Sequence, residues 1–150
     1  MGRIEKSIEI QASPESVWEL LAFDRVLEWS EGFRGELKSV EYTSEVHTPE
    51  DKYRVGATAH GIPKKKGETN FEVTESLENK KMTYRLSDSI RAIGTYILEP
   101  VEGGTTLKIL TDYEMPWGFV GKILEPLFMK RVLEKEFERD LRNLKNILEK

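Results

Sequence analysis

Residues 101–150 read VEGGTTLKILTDYEMPWGFVGKILEPLFMKRVLEKEFERDLRNLKNILEK, and two different periods within them decide the fold. In the front part Leu107, Ile109, Thr111, Tyr113 and Met115 share one parity, while Lys108, Asp112 and Glu114 share the other with Leu110. A two-residue period with charge on one side marks a strand wetted on one face, so the first set points inward. Glu102-Gly103-Gly104-Thr105 is the hairpin turn that joins this strand to the one before it. In the rear part Leu133, Phe137, Leu141, Leu144 and Leu148 recur at steps of 4, 4, 3 and 4, the spacing of one helical face. Between the two stands Pro126, which inside a helix removes a hydrogen bond and clashes with the turn before it, at about 3 kcal/mol. Gly118 and Gly121 weaken the preceding segment further. The expectation is a short helix or turn at 117–125, then a continuous helix from about 126 to 149. Trp117, Phe119, Val120, Ile123 and Leu124 form either a mobile flap over a cavity mouth or a kinked, well-packed helix.

Working outward, Ile4, Ile8 and Ile10 share one side of a first strand with Lys6, and Arg3, Glu5, Ser7 and Glu9 take the other. Ser13-Pro14-Glu15-Ser16 then sets an N-cap ahead of proline at the first helical position, with Ser16 where a full capping box wants Glu or Gln. Asp24 opens a second short helix carrying Val26, Leu27 and Trp29, ended by Gly32. Strands follow at roughly 36–46, 54–61, 67–77, 81–88, 92–100 and 105–115, separated by turn residues. One strand, two helices, six strands and a helix make an α+β chain with an antiparallel sheet rather than alternating βαβ units. A chain of 150 residues buries enough surface to stand as one domain, 1–150.

Composition narrows the function. With no cysteine and only His47 and His60, no structural zinc site and no other metal is expected. The net charge of -4, without a basic stripe, argues against nucleic acid. Lys64-Lys65-Lys66 is a solvated loop tip, smaller than the clusters of about 4–8 cations that hold anionic lipid. No stretch reaches the roughly 20 apolar residues of a membrane span, and the amino terminus lacks the apolar run of a signal peptide, so a cytoplasmic location is expected. No phosphate loop, nucleophile elbow, triad or dinucleotide motif occurs, and no cofactor is expected.

The ordered set of Ile8-Glu9-Ile10-Gln11-Ala12-Ser13-Pro14-Glu15-Ser16-Val17-Trp18, Trp29, Val55-Gly56, Leu98-Glu99-Pro100, Gly103-Gly104-Thr105 and the Leu141–Leu148 run resembles the START-like (SRPBCC) superfamily. Within it the chain is most similar to the polyketide cyclase/dehydrase and lipid-transport group. The resemblance implies a helix-grip: a seven-stranded antiparallel sheet curled around a long carboxy-terminal helix, with two short helices after the first strand closing one end. It also implies a cavity for an apolar ligand, and no shared catalytic set. Fold supports binding and leaves reaction open.

The residues themselves agree with a pocket. Alternation places Thr69, Phe71, Val73, Met82, Tyr84, Leu86, Tyr96 and Leu98 on the inner face beside the set from 107 to 115, so a few hydroxyls stand on an apolar wall. Plain core packing, with each tyrosine hydroxyl reaching backbone or water, accounts for the same positions. The candidate ligand-binding residues are Trp29, His60, Phe71, Tyr84, Tyr96, Ile109, Thr111, Tyr113, Phe119 and Ile123. His60 is an open case, because Ala57 and Ala59 suit the interior as well as Thr58 and His60 do. The charged face of the last helix, with Glu134, Lys135, Glu138, Arg139 and Arg142, reads as water-facing. Three functions remain: a carrier or sensor of a small hydrophobic molecule such as a lipid, quinone or polyketide-like compound; a cyclase or dehydratase in which His60, Tyr84, Tyr96 or Tyr113 moves protons; and a protein-interaction module like the co-chaperone branch. The carrier ranks first. The ligand's identity and the oligomeric state are not legible.

Overall fold

The computed structural model describes residues 2–65, 68–88, 91–114 and 126–150. Seven strands, β1 (Gly2–Ile10), β2 (Leu37–Tyr42), β3 (Thr58–Pro63), β4 (Thr69–Leu77), β5 (Lys81–Asp88), β6 (Ala92–Val101) and β7 (Gly104–Tyr113), form one antiparallel sheet in the order β1-β7-β6-β5-β4-β3-β2. Among the described residues three α-helices accompany it: α1 (Pro14–Glu19), α2 (Glu31–Glu36) and α3 (Pro126–Leu148). This is the expected helix-grip, in which the first and last strands pair and the long helix lies across the inner face. α3 has 23 residues, about 35 Å at 1.5 Å each, and its backbone runs closest to β1 and α2.

Alternation does what it promised. Along β7 Thr105, Leu107, Ile109 and Thr111 are buried, and the residues between them are not. β4, β5 and β6 present Phe71, Val73, Met82, Tyr84, Leu86, Tyr96 and Leu98 to the same side, all nearly free of solvent. Full burial of one such aliphatic side chain is worth about 2 kcal/mol, so the shared face carries the stability of the sheet. The β6–β7 turn needs Gly103, whose φ of 81° favours glycine, and Asn79 at 60° serves the β4–β5 turn.

Three expected boundaries move, each for a local reason. Strand 54–61 starts only at Thr58, because Gly56 at φ 92° breaks the extended backbone, although the Gly56 amide still reaches the Val73 carbonyl of β4 at 2.9 Å. Strand 36–46 ends at Tyr42, where the amides of Thr43 and Ser44 both close onto the Thr58 carbonyl, at 2.9 and 3.3 Å. The second short helix does not open at Asp24. Val26–Glu28 makes one 3-10 turn, and Ser30 then starts α2, which continues through Gly32 to Glu36. Asp24 instead accepts from Lys52 Nζ at 2.7 Å. The Ser13 cap forms as read, its Oγ accepting from the Ser16 amide at 3.2 Å, and α3 begins at Pro126. The proposed flap, 117–125, lies outside the described residues.

The first strand also revises the reading of the last helix. Lys6 stands on the inner face of β1, opposite Ile109, and its ammonium reaches Glu138 at 2.8 Å and Glu134 at 3.4 Å on α3. Part of the supposed water-facing row therefore fastens the helix to the edge strand.

Candidate functional site

The inner face of β5, β6 and β7 is floored by an uncommon arrangement. Tyr84 on β5 pairs with Gly94 on β6, which pairs in turn with Thr111 on β7. Gly94 has no side chain, and the Tyr84 ring lies in the space so left: a Cβ placed on Gly94 would fall 2.4 Å from Tyr84 Cζ. The same device recurs at the edge, where Tyr113 covers Gly2 at 2.3 Å from the corresponding point. Both rings lie along the sheet rather than standing up from it, a known use of cross-strand aromatics over glycine. They pave the wall.

The paving is polar at one spot. The Tyr96 hydroxyl donates to that of Tyr84 at 3.4 Å, and the rings sit 5.3 Å apart. Among the described residues the Tyr84 proton has no acceptor. Thr111 is 8 % exposed, and its Oγ1 is buried without a hydrogen-bond partner. Buried polar atoms usually find partners, and leaving one unmatched costs about 1–3 kcal/mol. Burial pushes the Tyr84 phenol above its ordinary value and the Tyr96 phenol well above it, and the charge of Asp140 raises both further. Both are therefore donors, not bases, at neutral pH.

Aromatic groups from the segment after β1 close one end. Phe23 sits 5.0 Å from Phe71 and edge-on to Tyr84 at 5.8 Å, Phe33 sits 5.6 Å from Phe71, and Trp29 sits edge-on to Tyr96 at 6.2 Å. Trp29 is locked by its Nε1 donating to the Leu20 carbonyl at 2.7 Å, while its own carbonyl accepts from Asn143 of α3 at 3.2 Å.

The seam between α2 and α3 holds the one buried carboxylate among the described residues. Asp140 accepts from the Ser30 hydroxyl at 3.0 Å and from the Glu31 amide at 2.9 Å, and so caps the first turn of α2 from across the fold. Burial raises its carboxyl to about 6, against the pull of those two hydrogen bonds. Beside this seam a surface groove of about 260 Å³ is lined by Glu28, Glu31, Arg34, Asn143, Asn146 and neighbouring residues. Its walls carry both charges.

Of the ten candidates read from sequence, Trp29, Phe71, Tyr84, Tyr96, Ile109 and Thr111 converge on the inner face, and Tyr113 borders it, half-buried. His60 does not join them. It pairs with Asn70, while its neighbours Ala59 and Gly61 take the inner side, so it stands on the outer face with Nδ1 2.9 Å from Asn70 Oδ1. Phe119 and Ile123 lie outside the described residues. Asp140, Ser30, Phe23 and Gly94 escaped the sequence reading. Asp140 had a signal: it falls three residues after Phe137 and four before Leu144, on the apolar face. Gly94 had one too, at the same parity as Tyr96. Among the described residues no cluster of His, Cys, Asp or Glu could hold a metal ion, and no helix is long and apolar enough to cross a membrane.

Comparison with known proteins matches residues 1–149 to the family described as polyketide cyclase/dehydrase and lipid transport. No curated protein matches the chain by sequence. Solved structures share its fold at low identity. A protein of Thermus thermophilus is 20% identical with a TM-score of 0.69, over 97% of this chain and 95% of that one. A Mesorhizobium loti protein is 17% identical at 0.69, over 99% and 97%. The Aha1 dimer of Colwellia psychrerythraea, solved in solution, is 20% identical at 0.65, over 99% and 96%.

Proposed function

The chain belongs to the polyketide cyclase/dehydrase and lipid transport family, and on that premise we propose that it binds and carries a small hydrophobic molecule between the sheet and α3. The observation that carries this reading is the paving of the inner face. Tyr84 over Gly94 and Tyr113 over Gly2 lay aromatic area along the sheet, and Phe23 and Trp29 meet the Tyr84 and Tyr96 rings edge-on. Apolar walls with a few placed hydroxyls are what small-molecule sites use, the area supplying affinity and the polar groups orientation. A chain without cysteine suits a reducing cytoplasm, where we place it.

The cyclase or dehydratase alternative is the weaker one. His60, the imidazole that the sequence offered for moving protons, stands on the outer face, and burial holds the interior phenols protonated. Among the described residues the exposed large apolar side chains, such as Val55, Leu77 and Ile93, come from separate elements, which lends a protein-interaction role little support.

Native mass spectrometry of the full chain, purified from an expression host, tests the proposal together with titration of the delipidated protein by N-phenyl-1-naphthylamine. The expected result is a co-purified apolar molecule, displaced by one equivalent of probe with a change in tryptophan fluorescence. His60→Ala is expected to leave the probe affinity within about twofold, since its ring faces away. A chain that carries nothing and gives no saturable probe signal would end the carrier reading.

A further inference from the structure

Resting on the interior-binding reading, we propose that the hydroxyls of Tyr84 and Thr111 form a two-donor clamp for a single acceptor oxygen of an uncharged apolar ligand, and that this site turns away carboxylates.

The geometry of the clamp comes from one row of the sheet. Tyr84, Gly94 and Thr111 are successive partners across β5, β6 and β7. Neighbouring strands lie about 4.8 Å apart, and the Tyr84 ring bends over Gly94, so its hydroxyl is carried toward β7. There it nears the row position of Thr111, whose own buried hydroxyl has no partner. The two hydroxyls do not bond each other, and each has a proton to give. Tyr96 donates to the Tyr84 oxygen from behind. That donation polarises the Tyr84 O–H and strengthens it as a donor toward a third group. An acceptor oxygen set between Tyr84 and Thr111 completes both.

Charge settles what kind of oxygen fits. On the inner strand face, among the described residues, the one cation is Lys6, and Glu134 and Glu138 already hold it. Asp140 adds a negative charge that both phenols sense. A carboxylate entering here would be desolvated with no free cation to meet it and an anion nearby, which is strongly unfavourable. A carbonyl or ether oxygen on an apolar body meets two donors and loses little on leaving water.

Three naphthalenes of nearly equal size test the clamp against the full chain at pH 7.5: 2-acetylnaphthalene with a carbonyl, 2-ethylnaphthalene with no acceptor, and 2-naphthoate with a negative charge. The ketone is expected to bind about tenfold more tightly than the hydrocarbon, as one to two net hydrogen bonds imply, and the naphthoate more weakly than either. Tyr84→Phe and Thr111→Val are each expected to bring the ketone's advantage over the hydrocarbon, both measured on the same variant, down to about threefold or less. Thr111→Val breaks no hydrogen bond and so reports on the clamp even if Tyr84→Phe disturbs packing. Equal binding of ketone and hydrocarbon overturns the clamp alone, as does an advantage that survives both substitutions or a naphthoate that binds as tightly as the ketone. Failure of all three compounds to bind overturns the interior-binding reading itself.

Discussion

The seam between α2 and α3 and the floor formed by β5, β6 and β7 are both buried and both polar, and they are finished differently. At the seam the buried polar groups among the described residues are answered: Asp140 takes the Ser30 hydroxyl and the Glu31 amide, Asn143 donates to the Trp29 carbonyl, and Trp29 donates to Leu20. On the floor Thr111 is unanswered and Tyr84 keeps a proton without an acceptor among the described residues. A matched network specifies one geometry and holds elements together, whereas unmatched donors at a flat apolar wall are a cost carried by the empty protein. The contrast supports our proposal that the seam holds the fold and the floor meets a ligand. The raised carboxyl of Asp140 would, taken alone, invite a catalytic reading, but both its oxygens are already engaged in capping α2.

The strongest way to break the contrast is Gly94→Ala. The new methyl would meet the Tyr84 ring well inside contact distance and lift it off the wall. We expect a loss of about 3 kcal/mol in urea unfolding, the upper end for overpacking, together with loss of probe binding. A variant as stable as the parent would mean that the ring is not seated on β6 as described.

The next effect sharpens the seam. Burial raises the Asp140 carboxyl to about 6 from an ordinary 3.8, so the folded chain retains a proton that the unfolded chain releases in that interval. Stability from this group is full below pH 4 and falls as the pH climbs through 4 to 6. By pH 7 the loss is on the order of 2 kcal/mol. Glu28, Glu138 and Glu149, held below their ordinary values by ion pairs or hydrogen bonds, run the opposite way. Comparing wild type with Asp140→Asn at each pH cancels them, and the difference between the two is expected to shrink toward pH 4. A difference that stays constant from pH 4 to 7 would remove the buried charge from the account.

The smallest effect probes the floor and has the unusual sign. Thr111→Val replaces an unmatched hydroxyl by a methyl of nearly equal size, and the empty protein should gain about 1 kcal/mol by thermal or urea unfolding. Destabilisation would show that the hydroxyl has a partner after all, and the floor would then resemble the seam.

Much of this was legible in the order of the residues. Strand parity on β5 was read correctly because polar and apolar residues alternate there, and on β7 and β6 it held even though Leu110, Ile93 and Ile97 stand on the outer side. Parity on β3 was not, since Ala57, Ala59 and Gly61 are small enough to leave no preference, and His60 could be placed only by its pairing with Asn70. The start of α2 was misread at Asp24 although a local cap was present, Ser30, whose Oγ accepts from the Phe33 amide at 3.4 Å. Here Ser30 starts the helix and is held by Asp140 from 110 positions away. Asp140 itself was overlooked because a search for apolar recurrence passes over an acid on the apolar face.

What the sequence determined alone is the order of the strands, the long helix from Pro126 and the inner face of the curled sheet, because these depend on periods of two and 3.6 residues. Tertiary structure decided which buried polar groups are matched. Whether a hydroxyl or carboxylate is satisfied depends on groups brought within about 3 Å from distant strands and helices, and one-dimensional spacing does not encode that distance. For this protein that decision separates the seam that holds the fold from the wall that we read as meeting a ligand.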